Sequence, residues 1–391
     1  MQAKSISTLF SNRLEENKAS TYTATHLVIP TSVVHEYALG YDDEVSVEDR
    51  SEDEEYKASR GAVYLKKYQP KREIKNPIVF FHGGPGLVNQ GQFSELISYF
   101  LNQGHTFYVP EIEGSGMYFK GLFPEGFDRE AIPPGLNLLE LNELKETGLN
   151  EFIQNYTHDV KDILNAVLDR HPGQQINLIA HSLGGHQLMR TLQLMPELKE
   201  KIGSICLVAS MVDAGANRFY QVLETASQTG AKAETFYESL VHDSKRFFKS
   251  AANFKQEGPK IDAGNNPAVD PTMNQAISVL YSDLSNFPPI LICHAADDKQ
   301  VFIQGSVLLF NKIKELGGQA HCIFWKTGGH QLLNNQGSMM NVEILNRIAL
   351  FFHNETIGLD STLLELSHED VIAEHKAFLE DQGAYLIKKL G

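Results

Sequence analysis

Cysteine is scarce in this chain: three in 391 residues, Cys206, Cys293 and Cys322, each inside an apolar, strand-like run. No spacing among them suits a zinc site, and three scattered thiols make no disulfide framework. They are expected as small buried hydrophobes in a reducing, cytoplasmic compartment. Cations are also in short supply. The 34 Lys and Arg stand against 49 Asp and Glu, a net charge of −15. That argues against nucleic acid as the main ligand, because a phosphate backbone needs a basic surface. No apolar run is long enough to span a bilayer, and the N-terminal residues lack the uninterrupted apolar stretch of a secretory signal. The G-x-G-x-x-G pattern is missing, which removes the dinucleotide fingerprint. No metal or organic cofactor is implied.

What is present is a rhythm of short apolar runs alternating with helical periodicity. Strands are expected from Gly61, at 76–81, 106–110, 175–181, 204–209, 289–293 and 321–325. Helices are expected at about 92–103, 151–170, 184–195, 303–316 and 340–354. This alternation implies a mostly parallel central sheet flanked by helices on both faces, an α/β architecture. Residues 1–60 read as an N-terminal segment with an acidic loop, since 42–55 carry nine acids and one arginine. The core is expected over 61–212 and 286–355. Residues 111–150 read as loops around short helices. Residues 213–285 interrupt the strand rhythm and read as an inserted, largely helical cap over the carboxyl ends of the strands. Residues 356–391 read as a C-terminal helical tail.

In open parallel sheets, functional groups gather at the carboxyl ends of strands. Ile176 to Gly185 is a buried strand that ends in Ser182 and turns at once into a helix, the small-x-Ser-x-small nucleophile elbow. Ala180 and Gly184 supply the small residues that so tight a turn demands. Leu183 would offer its backbone N–H to a developing oxyanion. The turn His82-Gly83-Gly84-Pro85-Gly86 follows another strand, and Gly84 is the expected second donor, because Pro85 has no N–H. His82, Gly83 and His181 are expected on the substrate side, with His181 packed beside the nucleophile rather than acting as its base.

A serine needs a base, and the base needs a carboxylate to fix its tautomer. His330 follows the strand 321–325 and is the expected base. Asp298 follows the strand 289–293 and is the expected acid. Asp297 competes with it, but the D-x-x-V spacing to Val301 favours Asp298; Asp213 is the fallback.

With these residues in the order Ser, Asp, His, the chain resembles the α/β-hydrolase superfamily of serine hydrolases over about residues 60–355, the cap excluded. His82-Gly83-Gly84-Pro85-Gly86 is similar to the corresponding turn of proline iminopeptidases. Glu113-Gly114-Ser115-Gly116, the stretch Pro289 to Val301 and the residues around Gly329-His330 look like the catalytic domain of prolyl oligopeptidases. The elbow departs from both, since Ala180-His181-Ser182-Leu183-Gly184 is closer to lipases, thioesterases and general esterases. Glu113 also stands where an arginine is usual, and the N-terminal segment is too short for a propeller.

The resemblance implies ester cleavage through an acyl-enzyme. The alternatives are an aminopeptidase or amidase of proline-iminopeptidase type, and an acyl transferase or non-catalytic binding module on the same fold. An aminopeptidase needs carboxylates in the cap, where Glu224, Glu234 and Glu238 are candidates. The expected partner is a small-molecule, lipid or peptide substrate.

Overall fold

A computed structural model describes residues 14–15, 22–41, 57–83, 93–111, 136–140, 149–230, 274, 278–333 and 339–354. Ten strands form one sheet. They are β1 (Leu14–Glu15), β2 (Tyr22–Tyr41), β3 (Lys57–Pro70), β4 (Lys75–Phe81), β5 (His105–Glu111), β6 (Leu136–Glu140), β7 (Ile176–His181), β8 (Ile202–Val208), β9 (Ile290–Ala295) and β10 (Ala320–Trp325). The main path runs β1-β2-β3-β5-β4-β7-β8-β9-β10, and β6 pairs with β2. From β5 to β10 every neighbouring pair is parallel, while β1, β2, β3 and β6 join antiparallel.

The helices are α1 (Ser94–Asn102), α2 (Leu149–Arg170), α3 (Leu183–Leu194), α4 (Ala214–Thr229), α5 (Ile303–Glu315) and α6 (Met339–Phe352). Strand alternation divides the core into two layers. Val79, Phe81, Leu178, Ala180, Ile205, Leu207 and Ile292 face one layer, closed by Val160, Ile163, Leu164 and Val167 of α2 and by α3 and α5. Ile78, Phe80, Ile179, Cys206, Val208, Leu291 and Cys293 face the other, closed by α1 and α6. Every residue of β7 and β9 is buried, as expected of strands covered on both faces. Full burial of one such aliphatic or aromatic side chain is worth about 1.5–3 kcal/mol, so these central strands anchor the sheet. The three cysteines are buried among these residues and form no disulfide.

Three strands lie where the sequence offers no sign of them, and β1, two residues long, is the shortest. β2 occupies the N-terminal segment and pairs along β3, so the sheet extends to the N-terminal side of residue 61. Pro30 sits inside β2, and the register slips between Pro30 and His35. An internal proline and an irregular pairing hide a strand from periodicity. β6 falls in the Gly- and Pro-rich stretch expected to be loop, and pairs only with β2. Of the expected cap, the described part includes α4, whose Ala214, Ala216, Phe219 and Tyr220 join the core layer. The acidic loop 42–55 and the tail 356–391 lie outside the described residues. Among the described residues, no helix is long and apolar enough to cross a membrane.

Candidate active site

β7 delivers Ser182 at its carboxyl end. The backbone there has φ 54° and ψ −124°, a left-handed conformation that L residues adopt only under constraint. The constraint is visible. Ser182 N–H donates to Val208 O at 3.2 Å, and Ser182 O accepts from Gly185 N–H at 3.1 Å and Met211 N–H at 3.0 Å. The small residues are also accounted for, since a Cβ on Gly184 would lie 2.4 Å from the carbonyl oxygens of both Phe81 and His82. The helix therefore starts against the end of β4, and only glycine fits at that contact. On the other side, a Cβ on Gly83 would fall 2.3 Å from Ser182 Cβ. The turn after β4 thus presses directly on the serine.

His330 follows β10 and reaches the serine from the opposite flank. Its Nε2 lies 3.0 Å from Ser182 Oγ, and its Nδ1 lies 2.8 Å from Asp298 Oδ2. A carboxylate only accepts, so Nδ1 carries the proton and Nε2 is left to accept from the serine hydroxyl. Asp298 is buried in the turn after β9 and fixed at its other oxygen. Its Oδ1 accepts from Gln300 N–H at 2.8 Å and Val301 N–H at 3.0 Å. Burial alone would raise its pKa, but hydrogen bonds from His294 and His330 outweigh it and hold the carboxyl well below the usual range.

The two competing acids are engaged elsewhere. Asp297 Oδ1 accepts from Gly329 N–H at 2.8 Å, so it holds the backbone beside the histidine rather than the ring. Asp213 Oδ1 accepts from Ala216 N–H and Asn274 Nδ2, and its Oδ2 accepts from Tyr281 OH, so it ties together the two ends of the expected cap segment 213–285.

His181 is expected on the substrate side, but the structure turns it elsewhere. Its buried ring donates Nε2–H to His330 O at 2.9 Å, which leaves it under the base's backbone. Burial, then the nearby His330, lowers its pKa to about 3, so the ring is neutral. His82 is likewise buried and donates Nδ1–H to Gly83 O at 3.1 Å. Burial lowers its pKa to about 4. Both rings shape the loops around the serine, a role that residue type alone does not announce. Leu183 opens α3, where the first N–H groups have no acceptor within the helix. Gly84 lies outside the described residues.

Sequence reasoning missed two residues, Asn217 and His294, and named a third, Asp297, only as a rival for the triad acid. Asn217 of α4 brackets the acid's loop, its Nδ2 donating to Gln300 O and its Oδ1 accepting from Phe302 N–H. Asp297 pins the histidine loop, and His294 touches the acid from behind. Of the two missed residues, His294 left a trace in the sequence, four residues before Asp298 at the end of a strand. Among the described residues, no cluster of His, Cys, Asp and Glu is placed to hold a metal ion.

The sequence model of the α/β hydrolase fold matches residues 76–326, well over half of the chain, and the chain belongs to that family. Comparison with curated proteins finds no match. Among solved structures, the chain is similar to the acylaminoacyl peptidase of Pyrococcus horikoshii, at 14% identity and TM-score 0.50 over 91% of this chain and 45% of that one. It thus spans less than half the length of that peptidase. It is also similar to carboxyl esterase 2 of the fungus Tuber melanosporum, at 12% identity and TM-score 0.49 over 87% of this chain and 88% of that one. A hyperthermophilic esterase of Pyrobaculum calidifontis matches at 16% identity and TM-score 0.48 over 85% and 88%. At these identities the likeness concerns the fold alone.

Proposed function

We propose that the chain is a serine hydrolase that cleaves a carboxylic ester through an acyl-enzyme. One observation carries this reading: the unbroken line from Ser182 Oγ to His330 Nε2 at 3.0 Å and from His330 Nδ1 to Asp298 Oδ2 at 2.8 Å. Ser182 Oγ attacks the ester carbonyl as its proton passes to His330 Nε2. Asp298 steadies the imidazolium. The C–O bond to the alcohol breaks, and the alcohol leaves with the proton from His330. Water then gives a proton to His330 and attacks the acyl carbon, the acid departs, and Ser182 regains its proton. The N–H of Leu183 and that of Gly84 would hold the oxyanion. The close approach of Gly83 to Ser182 supports a donor from that turn. The segment 213–285 would cover the site as a cap.

Two observations favour an ester over a peptide. The elbow sequence has the esterase-like Ala180-His181-Ser182 start. Glu224, one of the carboxylates available to grip a free amino terminus, is taken by Lys299 Nζ at 2.8 Å. Glu234 and Glu238 lie outside the described residues.

The test is a panel of p-nitrophenyl esters of rising acyl length beside aminoacyl p-nitroanilides. The expected result is ester turnover that disappears in Ser182→Ala. Turnover of the anilides with none of the esters would overturn the reading in favour of an aminopeptidase.

A further inference from the structure

The mechanism leaves one fully buried histidine unexplained. His294, the next-to-last residue of β9, has no exposed surface. Its Nδ1 lies 2.7 Å from Ser306 Oγ on α5. Its Nε2 lies 2.8 Å from Val301 O and 3.2 Å from Asp298 Oδ2. Both of those oxygens only accept, so Nε2 carries a proton and shares it between them. Ser306 O–H is then free to donate to Nδ1, which fixes the tautomer. The oxygen it touches, Oδ2, is the one that faces His330.

We propose that His294 is a positioning residue of the site: its Nε2–H locks the Asp298 carboxylate in place and divides the charge of Oδ2 between two imidazoles. The inference rests on the triad reading above. Gln300 N–H and Val301 N–H hold Oδ1, so His294 completes a carboxylate fixed at both oxygens without help from His330. The charge shared with His294 is withheld from His330. Without His294, the whole charge of Oδ2 would fall on His330 Nδ1–H and strengthen that one hydrogen bond. The other titratable groups around the pair are neutral or engaged. His181 and, behind it, His82 are held neutral by burial. Asp297 accepts from Gly329 N–H, and Lys299 is turned to Glu224 of α4.

The test uses the full chain and begins with wild type. Heteronuclear NMR of the imidazole rings should find the His294 proton on Nε2; a bare Nε2 overturns the proposal. In His294→Leu, the His330 Nδ1–H resonance should move downfield. The acid limb of the fluorophosphonate labelling rate should rise by about half a pH unit or more, the part of one charge-assisted hydrogen bond that reaches the base. His294→Gln, whose amide can still donate to Oδ2, should return both readouts toward wild type. A folded His294→Leu that labels more slowly at every pH, with resonance and limb unmoved, reduces His294 to packing and overturns the proposal. If that variant does not fold, the wild-type ring proton still decides. A wild type that takes no label at any pH contradicts the triad reading itself, and the ring spectra, which need no turnover, tell the two failures apart.

Discussion

The ring of His181 donates Nε2–H to the backbone carbonyl of His330 at 2.9 Å, with the two ring centroids 4.8 Å apart. The residue before the nucleophile therefore holds up the residue that activates it. Because this bond ties the elbow to the backbone of the histidine loop, losing it loosens the loop without removing any reacting group. His181→Leu should lower kcat/KM by about tenfold, the scale of one buried hydrogen bond, with KM changed less than kcat. Steady-state kinetics on a short-chain ester checks this. An unchanged kcat would show that the loop needs no such prop.

Asp297 does the same work from the surface. Its Oδ1 accepts from Gly329 N–H at 2.8 Å. Asp297→Ala should cost about tenfold in kcat, and Asp297→Asn, which keeps an accepting oxygen, should recover most of it. If both variants lose activity equally, the carboxylate charge matters and the hydrogen bond does not.

Gly184 allows no side chain. A Cβ there would sit 2.4 Å from two backbone carbonyl oxygens of the β4 end. Gly184→Ala should lower stability by about 1–3 kcal/mol through overpacking, and should displace Ser182 as well. Thermal unfolding and labelling rate together check both effects. A variant as stable and as reactive as wild type would mean that the elbow is looser than described.

Four buried histidines set a limit on acid stability. Burial, the largest cause in each, lowers His82 and His105 to about 4, and His181 and His186 to about 3. The unfolded chain takes up protons at these rings near the ordinary value of 6.5, before the folded chain does. Stability is therefore full above that value and is lost as pH falls toward the folded values, by about 1.4 kcal/mol per pH unit for each ring. Asp298, also depressed, adds to the loss below the ordinary carboxylate range. Melting temperature should fall steeply between about pH 6.5 and pH 4, the window between unfolded and folded histidine values. A flat melting curve across that range would contradict neutral burial of these rings.

How much of this is legible in the sequence depends on the range of the interactions. The parallel strands, Ser182, His330 and Asp298 are readable because apolar runs, an elbow with small flanks and residues at strand ends are local patterns. β2 is not, because Pro30 breaks its alternation and its register against β3 slips between Pro30 and His35. The choice between Asp297 and Asp298 is readable only as a spacing preference, since the deciding contacts come from Gly329 and His330, some thirty residues on. That His181 packs beside the serine is legible, because adjacency to the serine is visible in sequence. The direction in which a ring leaves a strained turn is not visible there.

Everything proposed for this site depends on the activation of Ser182 by His330 and Asp298. Labelling the full chain with a fluorophosphonate probe, beside Ser182→Ala, tests that with little dependence on substrate identity. An activated Ser182 gives a label on the wild type, mapped to Ser182, and none on the variant. A folded wild type that takes no label, or a variant that takes as much, would contradict it.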